Sequence, residues 1–200
     1  PEHLSWYQLT LEPNTLFHAR PPPLPDDEQK WAMQQQGLQL LEQQGYEQYE
    51  VSAFARQGRR CAHNLNYWRY GDYIGIGAGA HGKITLAGEG TIVRSARRRH
   101  PADYLAGAGT PAGIESRRRP GAEETAFEYA LNRLRLRAGF DLEEFETRCG
   151  LQRRHILPAI EAAAGKGLLR LQGERVEHSE RGWRFLDDLL QEFLPRSLSE

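Results

Sequence analysis

Apolar and polar residues alternate at the start of the chain. Leu4, Trp6, Gln8 and Thr10 fall on one side of an extended segment, and Ser5, Tyr7, Leu9 and Leu11 on the other. A period of two with β-favouring aromatics predicts a strand. Glu12-Pro13-Asn14 ends it, and Pro21-Pro22-Pro23-Leu24-Pro25 forms a stiff lead, poor in backbone donors, into Asp26-Asp27-Glu28. Those carboxylates suit the positive end of a helix. The spacing predicts a helix from Asp26 to Gln44, with Trp31, Leu38 and Leu41 on one side and Gly45 as its stop. A second strand is expected over Tyr46 to Phe54, so the chain opens as a β-α-β unit.

Two dense stretches follow the loop Ala55 to Arg60. The first is Cys61-Ala62-His63-Asn64-Leu65-Asn66-Tyr67-Trp68; the second, Asp72 to Gly82, alternates small residues with apolar ones. Glycine weakens a strand unless something approaches the backbone closely. A hairpin is expected through Ile84 to Val93, turning near Gly88-Glu89-Gly90. The α/β half ends near residue 100.

Residues 94–120 mix arginine with Gly and Pro, including Arg97-Arg98-Arg99 and Arg117-Arg118-Arg119, and read as a connector around one short helix. Helical spacing then dominates. Phe127, Ala130, Leu131, Leu134 and Ala138 mark one helix closed by Gly139, and Asp141 with Glu144 resembles a capping box for a second that Gly150 ends. A third carries Ile156 and Ile160. A hairpin turning at Gln172-Gly173-Glu174 follows, and Ser179 is expected to cap a final helix with Trp183, Leu186, Leu190 and Leu194. Three helices, a hairpin wing and a closing helix outline a winged-helix-like domain of about 80 residues.

Composition narrows the function class. The 200 residues carry 26 Lys+Arg against 27 Asp+Glu and are 39% hydrophobic, which suits a soluble globular chain rather than a disordered or membrane-spanning one. The balanced charge argues against a protein that coats nucleic acid. Two cysteines, Cys61 and Cys149, far apart in sequence, suit a reducing cytoplasm and are too few for an iron–sulfur cluster. The chain opens on Pro1 and its single methionine is Met33, so it is expected to be a piece of a longer or processed protein.

The stretch from Cys61 to Trp68 carries the strongest chemistry. His63 supplies an imidazole able to bind haem iron, Tyr67 and Trp68 offer flat apolar surface for a macrocycle, and Cys61 offers a second soft ligand. The plainer reading has His63 and Asn64 bonding the loop and the aromatics filling core. Gly75, Gly77, Gly79 and Gly82 would admit a ligand against the main chain, but they form neither a dinucleotide fingerprint nor a P-loop; close backbone packing explains them equally. Gln8 and the acidic residues of Tyr46 to Glu50 lie near strand ends, where α/β folds place ligand contacts. The arginine runs suit acidic groups or simple solvation. Leu151 to Ala164 would be the recognition helix if the tail bound DNA.

Four segments in order, Leu4 to Pro13, Gly45 to Ala55, His63 to Trp68 and Gly71 to His81, resemble the HemW-like proteins, which belong with the radical S-adenosylmethionine (SAM) enzymes and the oxygen-independent coproporphyrinogen III oxidase-like proteins. The resemblance spans most of residues 1–82, with a looser likeness in the tail. It implies an α/β fold: the last strands and helices of a radical SAM (β/α) barrel over residues 1–96, a linker over 97–120, and a mostly helical winged-helix-like domain over 121–200. It also implies a haem chaperone that delivers haem to respiratory proteins at the membrane surface, with a 4Fe-4S cluster and SAM in the parent and no nucleic-acid partner. The family's His-Asn-x-x-Tyr-Trp haem motif falls on His63, Asn64, Tyr67 and Trp68, with His63 toward the iron. Ala55, Gly77 and Gln8 correspond to positions near SAM. The alternative is a true coproporphyrinogen III oxidase, which would decarboxylate porphyrinogen propionates through a SAM-derived radical.

The family's Cys-x-x-x-Cys-x-x-Cys motif is absent from this sequence, so its partner is expected to be the N-terminal barrel half of the same polypeptide. The 200-residue chain alone is expected to show no radical chemistry. Incubation with SAM and a strong reductant, after attempted cluster reconstitution, should leave SAM intact; 5′-deoxyadenosine would contradict that expectation.

Overall fold

The computed structural model describes residues 1–195, which divide into two compact units after Ala62. The first contains β1 (His3–Ser5), α1 (Leu16–Ala19), α2 (Asp27–Gln43), β2 (Glu47–Glu50) and β3 (Ala53–Ala55). Its sheet runs β1-β3-β2, antiparallel at both pairings.

The helix prediction holds closely. Asp26 accepts from Gln29 N at 2.8 Å while the Gln29 side chain accepts from Asp26 N at 3.1 Å, a reciprocal cap. At the other end Gly45, at φ +78°, lets its own N–H reach Glu42 O and the Tyr46 N–H reach Leu41 O. No α2 residue is buried, and Trp31 is exposed despite its place in the apolar stripe.

The strand predictions need correction. β1 stops at Ser5 because Ser5 pairs with Ala53, and the chain beyond Ala53 is already turning. Trp6 N makes a last bond to Ser52 O at 2.8 Å, leaving Tyr7 to Leu11, Gln8 included, outside the sheet. The single strand expected over Tyr46 to Phe54 folds at Val51-Ser52 into the β2–β3 hairpin. There the Gln48 side chain donates to Val51 O, and the Glu50 carboxylate accepts from Ser52 N. β1 and β2 therefore flank β3 instead of forming an adjacent parallel pair.

The second unit contains α3 (Ala62–Trp68, which begins at the boundary), β4 (His81–Leu86), β5 (Thr91–Arg97), α4 (Pro101–Gly107) and β6 (Ile114–Arg118). It continues with α5 (Ala122–Arg133), β7 (Phe140–Asp141), α6 (Leu142–Cys149), α7 (Leu157–Gly165), β8 (Leu169–Gln172), β9 (Arg175–His178), α8 (Glu180–Arg184) and α9 (Leu186–Gln191). Two antiparallel sheets result, β4-β5-β6 and β7-β9-β8. The expected hairpin is β4–β5, with Gly90 left-handed at φ +57°. The arginine-rich stretch holds α4 but also β6, which pairs Arg94 with Arg118 across β5. The small-residue segment Asp72 to Ala80 is a loop, joined to β4 by one bridge between Tyr73 and Lys83.

Tyr129, Phe140, Phe145, Ile156, Ile160, Val176 and Leu189 form a core with essentially no exposed surface. Phe140 and Phe145 meet Tyr129 edge-on at 5.3 and 5.2 Å between centroids, and Tyr70 reaches it from the preceding segment at 5.9 Å. α5 ends at Arg133, earlier than expected. The buried guanidinium donates to Ala138 O, Gly139 O and Glu144, filling the turn that follows. Glu144 is thereby withdrawn from the expected capping box, and Asp141 makes no side-chain cap bond. The closing helix is interrupted at Phe185, whose non-helical backbone (φ −117°, ψ +54°) separates α8 from α9, and Leu194 lies beyond it. Among the described residues no helix is long and apolar enough to cross a membrane.

His178 is 7% exposed, its Nε2 lies 2.9 Å from Leu134 O, and burial pushes its pKa down to about 4. The unfolded imidazole takes up its proton near pH 6.5, well before the folded one. Stability from this group is therefore complete above pH 6.5 and lost as pH falls toward 4, by on the order of 3 kcal/mol. Unfolding titrations of the wild type and His178→Gln should diverge in slope between pH 6.5 and 4; parallel curves would show that His178 is not buried as a neutral ring.

Candidate functional site

α3 places His63 and Tyr67 one turn apart, the spacing at which helical side chains meet. Their rings touch edge-on at 4.9 Å, and Tyr67 continues onto Tyr73 at 4.7 Å. His63 is exposed, whereas Tyr67 and Tyr73 are half-buried. Among the described residues the imidazole makes no hydrogen bond or ion pair, which leaves its nitrogens available to a metal. Trp68 takes the adjacent face. Arg135 lies over its ring at 4.4 Å, and its Nε1 is buried with no partner among the described residues. Asn64 shares that side of the helix, one turn from Trp68 and half-buried. His63 and Tyr67 are thus brought together with Tyr73, while Trp68 is packed elsewhere.

The end of α3 is fixed by residues that the motif reading overlooked. Tyr70 sits at φ +56°, a left-handed conformation costing about 1–2 kcal/mol for a residue with a side chain. That turn lets Tyr70 N reach Tyr67 O and Gly71 N reach Asn66 O. The Asn66 side chain donates to Asp72 O at 3.0 Å, and a Cβ on Gly71 would lie 2.8 Å from the Asn66 backbone oxygen, so glycine is required there.

Lys83 holds this turn from below. It is 1% exposed, and its ammonium donates to Tyr70 O at 2.9 Å, Asp72 at 2.8 Å and Thr85 Oγ1 at 3.1 Å, with the Tyr70 ring 4.2 Å away. Burial pushes its pKa down against the opposing pull of Asp72. Burial pushes the Asp72 carboxyl up, but bonds from Lys83 and from Thr85 outweigh it and hold the group below its ordinary value. The Tyr70 hydroxyl donates to Glu128 at 2.7 Å; burial and that carboxylate both raise the phenol's pKa. Glu128 also receives Arg94, whose remaining nitrogen donates to Tyr73 Oη at 3.0 Å. One signal for this group was legible: Asp72 and Lys83 are the sole acidic and basic residues flanking an uncharged ten-residue loop.

The positions matched to SAM contacts fall in both units. Gln8 is exposed beyond β1, Ala55 is buried in β3, and Gly77 belongs to the other unit, at φ +113° with its N–H on Tyr104 Oη. Gly75 is required by the protein's own fold, since a Cβ would lie 2.2 Å from His81 O. The arginine runs are largely engaged: Arg97 with Gly75 O, Arg118 with Glu124 and Glu128, and Arg119 with Glu89. A concavity of about 780 Å³ beside α5 is lined by Glu123, Glu124, Glu128, Phe127 and His155. Two of its three carboxylates, Glu124 and Glu128, are already paired with Arg118 and Arg94.

The residues present do not fit an iron–sulfur cluster. Of the two cysteines, Cys149 is buried and its thiol pKa is raised by that burial. Among the described residues no group of three potential ligands comes together.

Asp72→Ala would leave the Lys83 ammonium buried among neutral acceptors. The expected loss of unfolding free energy is about 3 kcal/mol, the low end for a buried pair broken on one side, since Asp72 is itself partly exposed. Lys83→Met should cost less, because Asp72 keeps its bonds from Thr85. Denaturant unfolding measures both, and an Asp72→Ala loss below about 1 kcal/mol would contradict the assigned role.

Comparison with known proteins gives a consistent result. The family described as the HemN C-terminal domain matches residues 122–185. The heme chaperone HemW of Escherichia coli K12 is 47% identical over 194 residues, covering 97% of this chain and 50% of that protein. HemW of Haemophilus influenzae is 44% identical, covering 97% and 49%. The mitochondrial radical S-adenosyl methionine domain-containing protein 1 of mouse is 46% identical over 100 residues, covering 48% of this chain and 23% of the mouse protein. The chain thus spans about half the length of the HemW relatives it matches. A solved structure of E. coli coproporphyrinogen III oxidase (HemN), a radical SAM enzyme, aligns with a TM-score of 0.69 at 16% identity, covering 96% of this chain and 48% of the other, which supports the α/β fold. The chain belongs with the HemW-like proteins and carries their HemN C-terminal domain.

Proposed function

We propose that this chain is the C-terminal part of a cytoplasmic haem chaperone, holding haem on the face of α3 and passing it to respiratory haem proteins at the membrane surface. The observation that carries the reading is the exposed His63 imidazole, set edge-on to Tyr67 and continued by Tyr73. A neutral imidazole nitrogen is a strong ligand for haem iron, and the rings offer apolar surface to the porphyrin. Ile74 and Ile76, which follow Tyr73 on its loop, are also exposed. The placement of Trp68 and Asn64 on the next face gives them a supporting role, packing α3 rather than touching iron.

The identity to HemW proteins, whose names state a haem chaperone function, supports the same reading. In it, residues 1–96 complete a radical SAM barrel, 97–120 connect, and 121–200 form a winged-helix-like domain. The order α5-β7-α6-α7-β8-β9 supports the last of these. Gln8, Ala55 and Gly77 would then lie toward SAM, with the cluster ligands supplied by the other half of the barrel. DNA binding is the weaker use of such a tail, because Arg153 is held by Glu146 and Glu174. The oxidase alternative rests on fold likeness, which does not determine function.

Haem titration of the intact protein tests the reading. His63→Ala removes an exposed side chain at little cost to folding. It should weaken haem binding by about tenfold or more and shift the Soret band. Equal affinity with an unchanged band would overturn ligation by His63.

A further inference from the structure

We infer that Glu128 and Arg94 are positioning residues for haem, acting through Tyr73 to fix the aromatic wall beside His63. The inference rests on the haem reading and deepens it. The contacts run without a gap: Glu128 on α5 accepts from Arg94 on β5, Arg94 donates to Tyr73 Oη at 3.0 Å, Tyr73 meets Tyr67 at 4.7 Å, and Tyr67 meets His63 at 4.9 Å. Glu128 lies within the HemN C-terminal domain match, whereas the other four residues precede it.

Three features single out this chain of contacts. The Arg94–Glu128 pair is well shielded, with the two side chains 17% and 16% exposed, so it is screened less than the surface pairs around it. Arg94 spends its planar fork on two partners, which fixes the guanidinium and therefore the tyrosine oxygen it reaches. Tyr73 lies on the glycine-rich loop, joined to β4 through the bridge to Lys83, so its ring orientation depends on the contact at its hydroxyl. The second oxygen of Glu128 takes Arg118 at 3.4 Å, and the Tyr70 hydroxyl also donates to the carboxylate, so one α5 side chain ties β5, β6 and the end of α3 together. A ring free to swing would leave the porphyrin with one orienting wall fewer, weakening binding while iron ligation persists.

The test uses the intact protein with hemin as probe and four variants: Tyr73→Phe, Glu128→Gln, their combination, and His63→Ala. Tyr73→Phe keeps the ring and deletes only the oxygen that Arg94 holds, so folding is preserved and an unchanged melting temperature confirms it. Losing one charge-assisted bond from the relay should raise the hemin Kd by about three- to tenfold in Tyr73→Phe, with a Soret envelope that broadens but keeps the imidazole-ligated position. Glu128→Gln should give a change of the same kind, and the double variant should be no worse than the more affected single variant, because both cut one relay. Additive effects, or a Tyr73→Phe protein with wild-type Kd and band shape while His63→Ala loses binding, would overturn the positioning role and leave the haem reading standing. Binding unaffected by His63→Ala would remove both.

Discussion

Lys83 carries its ammonium into a position 1% exposed to solvent, and the end of α3 is organised around it. A buried cation is costly unless every donor is matched. Here Tyr70 O, Asp72 and Thr85 Oγ1 match its three protons, and the Tyr70 ring lies alongside. The carbonyl it takes belongs to a residue in the left-handed conformation. The bond therefore offsets the strain of the turn that stops α3 and sends the chain into the glycine-rich loop. Without that turn His63 and Tyr67 would have no fixed relation to Tyr73.

A second charge centre, Glu128, lies on the other side of Tyr70. It gathers the Tyr70 hydroxyl, Arg94 and Arg118 onto one carboxylate. Its helix also buries Tyr129, around which Tyr70, Phe140 and Phe145 pack edge-on. α5 and the end of α3 thus share a polar junction at Glu128 and an aromatic junction at Tyr129.

The sequence disclosed the elements governed by local rules. The acidic start of α2 at Asp26, the Gly45 and Gly150 stops, the turn at Gly90 and the β8–β9 hairpin all follow from residues within a few positions of one another. Failures came where a distant partner decided. The first strand ends at Ser5 because its neighbour turns at Ser52, and Glu144 leaves its cap for Arg133, eleven residues upstream. At the site, the motif pointed to His63 and Tyr67, which the fold does bring together. It also pointed to Trp68, over whose ring Arg135 lies. Tyr73, Arg94 and Glu128 are tied by pairings across as many as 34 positions, which no periodicity reports, whereas Lys83 and Asp72, 11 positions apart, were marked by their place at the two ends of the loop.

A structure of the intact protein with haem bound would show directly whether α3 holds the iron. The expected result is iron bonded to the His63 imidazole, with the porphyrin lying against Tyr67 and Tyr73. Iron on another ligand, such as His155 in the acidic concavity beside α5, with α3 untouched, would contradict it.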